Sequence, residues 1–137
     1  AAAAEAAQRD LANGTWERVA QIRNILESQL SAAAIGTISV GNGSPRLPNT
    51  LCLIAPGWKG ETQVMAMDLA GFAVSAGSAC SSGKVRASRV LTAMGYPEAL
   101  AGQAIRVSIG PGVTEDDVLR FGEAWTSAYA KARARAA

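Results

Sequence analysis

Apolar residues recur along this chain with the periods of two kinds of secondary structure. After residue 14 they return every three or four positions, as Trp16, Val19, Ile22, Leu26 and Leu30. That period places them on one face of a helix, which we expect to pack by that face. Residues 61–70 return to the helical period, with Val64, Met65 and Leu69 on one side of the helix.

Short runs with the composition of strands lie between the helices. Three of them are rich in β-branched or apolar residues and are bounded by Gly, Asn or Pro: residues 37–40, 50–55 and 72–75. A fourth run, residues 105–109, strictly alternates apolar and polar residues. This alternation predicts a half-buried strand with Arg106 on its polar face.

Helical signals occupy most of the remaining chain. Residues 1–12 are rich in alanine, and residues 86–94 read as a helix that ends before Gly95. Thr114 and Asp117 form a predicted capping box, which opens a last helix that continues to about residue 134. With no internal repeat or dividing linker, these elements predict an α/β fold: a two-layer small domain whose helices cover a short sheet, either mixed or antiparallel.

The composition of the chain argues against several classes of function. The 137 residues carry 13 basic and 11 acidic side chains and no histidine, so imidazole catalysis and His-built metal sites are excluded, and we expect no metal site. Basic residues are not concentrated on one face, so no nucleic acid is expected as a partner. No apolar run approaches the roughly 20 residues of a membrane span. Two cysteines do not make a secreted disulfide framework, so a cytoplasmic location is expected.

The least regular stretch of the chain is residues 76–83, which contains only Gly, Ser, Ala and Cys80. None of these side chains is large enough to anchor the stretch in a core, and Gly77 and Gly83 are its candidate hinges. We therefore expect an exposed loop with a reactive thiol, the alternative being a surface thiol of no consequence. Basic residues that follow the loop favour the thiolate, which is the nucleophilic form: Lys84, Arg86 and Arg89.

The other cysteine has different neighbours. Cys52 lies between Leu51 and Leu53 in a run typical of a buried strand, so we expect it to pack in the core. Arg106 taken alone is ambiguous, because a solvated arginine on an exposed strand face is common.

A phosphatase is one alternative function for this loop. Cys80 and Arg86 have the Cys-x5-Arg spacing of tyrosine phosphatases, in which backbone N–H groups and the arginine hold a phosphate. However, Ala79 stands where that motif usually has histidine, and Ala87 follows Arg86 where a hydroxyl is expected. A spacing alone is a weak signal, so the phosphatase remains an alternative only.

Residues 75–83 resemble the active-site loop of the NifS/IscS-type cysteine desulfurases, which are group I of the desulfurases and part of the class-V aminotransferase family. The segment reads Ser-Ala-Gly-Ser-Ala-Cys-Ser-Ser-Gly. Four other segments match the family in order and spacing: residues 46–51, 60–61, 90–95 and 105–110. Because the agreement runs from about residue 46 to the final helix, this resemblance is more specific than a single motif.

The resemblance implies a transferase that converts L-cysteine to L-alanine with pyridoxal phosphate (PLP) as an electron sink. Cys80 matches the residue that accepts the sulfur as a persulfide, and Arg106 matches the residue that binds the carboxylate of the substrate. The sulfur then passes to an iron–sulfur scaffold or another acceptor protein. The complete enzyme is expected to be a cytoplasmic homodimer.

By the same resemblance, residues 1–137 are a single C-terminal small domain that carries the end of the interdomain helix at residues 1–13. The large domain that binds PLP is expected to be absent, since no lysine lies in the family's cofactor motif: Lys59, Lys84 and Lys131. We therefore expect no cofactor-binding residue here and no activity of the chain alone. A non-catalytic sulfur-relay or interaction domain is the other alternative.

Overall fold

The computed structural model describes residues 1–77 and 87–136. The helices of this part are α1 (Ala2–Ala12), α2 (Thr15–Ala33), α3 (Gly60–Leu69), α4 (Arg89–Ala93), α5 (Glu98–Ala101) and α6 (Glu115–Ala136). Its strands are β1 (Ile38–Ser39), β2 (Thr50–Ile54), β3 (Ser75–Ala76) and β4 (Ala104–Ser108). Among the helices described here, none is long and apolar enough to cross a membrane.

The four described strands form one sheet in the order β1-β2-β4-β3. Every neighbouring pair is antiparallel, so the sheet is antiparallel rather than mixed. The long pairing of β2 with β4 joins residues that are 50 to 58 positions apart in the chain. The predicted α/β class, with helices covering a small sheet, is confirmed.

One face of the sheet packs against α2 and α6 and forms the main core. On this face Leu51 pairs with Val107 and Leu53 pairs with Ile105, and all four side chains are buried. The predicted apolar stripe of α2 is confirmed, because its members from Val19 to Leu30 are buried and Trp16 is half-buried. These side chains cluster with apolar residues of α6: Val118, Phe121, Trp125 and Tyr129.

The apolar side noted for α3 is mostly not its buried side, and of its three residues only Val64 is half-buried against the core. Met65 and Leu69 are 66% and 89% exposed, whereas Met67 and the polar side chain of Gln63 are fully buried. Gln63 is stable in the core because each of its polar atoms has partners, as a buried amide requires. Its Nε2 donates to the backbone oxygens of Trp58 and Gln103, each at 2.9 Å, and its Oε1 accepts from Nε1 of Trp125 at 3.1 Å.

Gly60 allows α3 to lie directly against the beginning of β4. A Cβ atom added at Gly60 would lie 2.6 Å from the carbonyl oxygen of Ala104 and 3.1 Å from the Cβ of Ala76. Backbone cannot move away as a flexible side chain does, so the helix itself would have to shift. Gly60 therefore brings α3 close to β4 and β3 at the same point.

We expect Gly60→Ala to lower the free energy of unfolding by about 1 to 3 kcal/mol, the usual cost of overpacking. Urea denaturation monitored by tryptophan fluorescence measures this change. Gly43→Ala is the matched control, because a Cβ atom there meets no atom within 4 Å. Equal stability of the two variants would contradict this account of Gly60.

The segment before β2 is held to α2 by an ion pair. Both guanidinium NH groups of Arg46 donate to the carboxylate of Glu27, at 3.0 and 2.8 Å, and the hydroxyl of Ser39 donates to the same carboxylate. The contact with Arg46 lowers the pKa of Glu27 below its ordinary value, although burial opposes this. The interaction fixes where the chain enters β2 and so contributes to the register of that strand.

Other boundaries differ modestly from the sequence predictions. The helix expected at residues 86–94 begins, in the described part, at Arg89, and residues 72–74 precede β3 rather than forming it. The short helix α5 was not predicted. The capping box is confirmed, because the amide of Asp117 donates to Oγ1 of Thr114 at 3.2 Å and the Asp117 carboxylate accepts from the amide of Thr114 at 3.0 Å.

Candidate functional site

Arg106 is the middle one of three residues that lie side by side on neighbouring strands of the sheet. It pairs with Cys52 of β2 on one side and with Ser75 of β3 on the other. Directly opposed residues in antiparallel strands have side chains on the same face, about 4.5 to 5.5 Å apart at Cβ. The sheet therefore places a guanidinium, a thiol and a hydroxyl together on the face opposite the main core. Arg106 is exposed there, as the alternation predicted.

This row opens into a cavity of about 450 Å³ between the sheet and α4. That volume lies within the usual range of small-molecule sites, about 300 to 1,000 Å³. Apolar walls come from Val40, Val90, Leu91, Met94, Ala104 and Ile105. Polar lining comes from Cys52, Ser75, Ser88, Arg89 and Arg106, and Gly77 completes the described lining.

The two chain segments that flank residues 78–86 both reach this cavity. Gly77 lines the cavity and immediately precedes that segment. Ser88 also lines the cavity and follows Ala87, the first residue after the segment. Cys80, Gly83 and Arg86 lie outside the described residues, so the expectations about their roles remain predictions. Gly77 has φ +64°, a left-handed conformation that favours glycine and that suits the hinge expected there.

The expectation that Cys52 packs in a core is met only in part, because it packs against a smaller apolar cluster that includes Val40, Ile54 and Leu91. It does not pack in the main core with Leu51 and Leu53 but lies on the opposite face, half-buried, where it lines the cavity beside Arg106. The alternation of side chains along a strand explains this, since adjacent residues point to opposite faces. Burial raises the pKa of the Cys52 thiol above its ordinary value, while the positive charge of Arg106 partly opposes the shift.

The two described lysines lie away from the cavity of Arg106. Lys59 and Lys131 are both exposed, and neither lines that cavity. Lys84 lies outside the described residues. No group of three potential metal ligands occurs among the residues that the structure describes.

Comparison with known proteins decides the family. A cysteine desulfurase of Klebsiella pneumoniae is 36% identical over 100 residues, which are 73% of this chain and 25% of that protein. The cysteine desulfurase IscS of Dictyoglomus turgidum is 33% identical over 102 residues, covering 74% of this chain and 26% of that protein. The X-ray structure of a NifS-like protein from Rickettsia africae superposes with a TM-score of 0.73 at 29% identity, covering 84% of this chain and 29% of that one.

The chain belongs to the family of NifS/IscS-type cysteine desulfurases. The resemblance inferred from the sequence is thereby confirmed. This chain spans only about a quarter to three tenths of the length of the relatives it matches. No family model matches it. None of the three desulfurase relatives supports the phosphatase alternative.

Three features of this cavity were missed from the sequence. Cys52 was assigned to the core, and Ser75 was identified only as the end of a strand and the first residue of the loop that resembles the family. A period-two pattern does show that residues 52 and 106 each leave the core face, but it does not show that they are neighbours. Arg89 was recognised only as a charge near Cys80, because nothing local indicates that it shares a cavity with Arg106.

Proposed function

We propose that this chain forms the substrate-binding and sulfur-accepting part of a longer cysteine desulfurase. In this proposal residues 1–137 are its C-terminal small domain, and Arg106 binds the carboxylate of L-cysteine while Cys80 accepts the sulfur. The observation that carries this proposal is a shared cavity. It is lined by Arg106 and by residues on both sides of the segment that contains Cys80, residues 78–86. Gly77 and Gly83 serve as the hinges of that segment.

The chemistry of Arg106 suits the task. A guanidinium binds a carboxylate through two parallel hydrogen bonds, and a strand in the middle of a sheet holds its direction. Gln63 supports that strand indirectly, because its amide binds the backbone oxygen of Gln103 just before β4 begins. Arg106 therefore stands on a rigid element, which gives the substrate one orientation.

Covalent geometry keeps Cys80 close to the same cavity. It follows Gly77 by three positions, so its Cα lies within about 11 Å of the Cα of Gly77 in any conformation. The thiolate of Cys80 attacks the sulfur of the substrate and forms an S–S bond while the Cβ–S bond breaks. The electron pair of the broken bond remains with the carbon, which takes up a proton and leaves as alanine.

PLP belongs, in this proposal, to a part of the enzyme outside this chain, where it supplies an electron sink for the substrate. The persulfide of Cys80 is then delivered to an iron–sulfur scaffold or another sulfur-acceptor protein. The complete enzyme is proposed to be a cytoplasmic homodimer. In this chain, Arg106 orients the substrate and Cys80 carries the sulfur.

A comparison of two proteins tests this function. With PLP, L-cysteine and a thiol reductant, we expect the complete enzyme to release alanine and sulfide in equal amounts, and the 137-residue chain alone to release neither. Borohydride treatment of the chain with PLP is expected to leave no unique lysine adduct. Alanine from the isolated chain would contradict the assignment of PLP to another domain, and none from the complete enzyme would contradict the function.

A further inference from the structure

A second arginine lines the cavity of Arg106. Arg89, the first residue of α4, lines the cavity from the side opposite the sheet and is exposed. Two hydroxyl groups accompany the two arginines, one from Ser75 on β3 and one from Ser88 at the N-cap of α4. Every charged side chain among the described lining residues is therefore positive.

Neither arginine is neutralised by an acidic neighbour within residues 1–77 and 87–136. The ion pairs in this part of the chain lie elsewhere, between Arg46 and Glu27 and between Arg120 and two aspartates of α6. A compact cavity of 450 Å³ is about 9 to 10 Å across, comparable to the Debye length of about 8 Å at physiological salt. Both charges therefore act on any molecule in the cavity, and a negative group reduces their mutual repulsion.

We propose that Arg89 is a second substrate-binding residue, which acts with Arg106 to select thiol substrates that carry a carboxylate. This inference rests on the proposed desulfurase function. It adds a residue that helps to determine which class of thiol the enzyme binds. Arg106 provides the directional, two-point contact from the sheet, and Arg89 adds positive charge from the opposite wall. A neutral or purely cationic thiol gains nothing from either residue.

Kinetics of the complete enzyme test this role. We expect Arg89→Ala to raise the KM for L-cysteine about 5- to 20-fold with little change in kcat, because Arg89 binds the substrate but does not take part in bond breaking. The effect is smaller than that of a buried contact, since an exposed charge is partly screened. Arg89→Lys is expected to recover most of the affinity because it keeps the charge.

Three measurements separate this role from a structural one. The difference in KM is expected to shrink as salt is raised, since it arises from charge. Inhibition by cysteamine, which has the thiol and amine of cysteine but no carboxylate, is expected to be the same in Arg89→Ala and the parent enzyme. Arg120→Ala is the matched control, because Arg120 is 61% exposed on α6 and pairs with Asp116 and Asp117 instead.

Several outcomes would overturn the role of Arg89. These are an unchanged KM in Arg89→Ala, an equal loss of affinity for cysteine and cysteamine, and no recovery in Arg89→Lys. A shifted pH profile of Cys80 alkylation with unchanged KM would instead make Arg89 a residue that tunes the thiolate. Failure of the parent enzyme to form alanine contradicts the proposed function itself, so the two failures are distinguishable.

Discussion

Replacing Cys80 with serine in the complete enzyme is expected to abolish persulfide formation and to reduce alanine release at least about a thousand-fold. A serine hydroxyl is not ionised at neutral pH, and its oxygen is a poor nucleophile toward sulfur. Binding of L-cysteine should persist, because Arg106 and the cofactor site are unchanged. Mass spectrometry after a short pulse of L-cysteine locates any added sulfur, and a coupled assay measures alanine.

Cys52→Ser is the matched control for this experiment. Its side chain lines the same cavity, but burial raises its pKa and so disfavours the reactive thiolate at neutral pH. We expect this variant to form the persulfide on Cys80 and to lose only about 1 kcal/mol of stability, since the site is half-buried. Added sulfur on Cys52, or a persulfide that still forms in Cys80→Ser, would contradict the assignment of Cys80.

Arg106→Ala is expected to raise the KM for L-cysteine about 10- to 100-fold, because a charge-assisted contact with a carboxylate contributes about 1.5 to 3 kcal/mol. The rate of Cys80 alkylation by a small neutral reagent should change little, since that reaction does not use the carboxylate. Steady-state kinetics and alkylation followed by mass spectrometry give the two quantities. An unchanged KM would indicate that Arg106 is only a solvated surface residue and does not bind the substrate carboxylate.

Arg106→Lys and the thiol of Cys52 supply two controls for that prediction. Lysine keeps the charge but cannot make two parallel hydrogen bonds, so its KM should lie between those of the parent enzyme and Arg106→Ala. Burial raises the pKa of Cys52, and the positive charge of Arg106 partly opposes that rise. Removing the charge of Arg106 should therefore raise the pKa of Cys52 further and slow the alkylation of Cys52, even in the isolated chain without substrate.

Local periodicity predicted the elements whose burial is decided by apolar side chains. The stripe of α2 and the alternation of β4 both follow from the spacing of large aliphatic residues, and both match the buried positions. The same reasoning does not identify the buried face of α3. There the buried face contains Gly60, Gln63 and Met67, and only the methionine has an apolar side chain of useful size.

The buried face of α3 is decided by partners from distant parts of the chain. Gln63 is buried because Trp58, Gln103 and Trp125 satisfy its amide, and Gly60 is buried because β4 approaches too closely for a Cβ atom. The sequence of the helix alone does not indicate which distant residues will contact it. The apolar residues Met65 and Leu69 therefore do not mark the buried face.

The sequence by itself determined the α/β class, the resemblance to cysteine desulfurases, the small-residue segment around Cys80 and the polar face on which Arg106 lies. These depend on composition and on spacing over a few residues. Only the tertiary structure decided the strand order, which places Cys52 and Ser75 on either side of Arg106 and brings Arg89 to the same cavity. Pairing between distant strands is set by packing of the whole core, so no local pattern specifies which side chains meet.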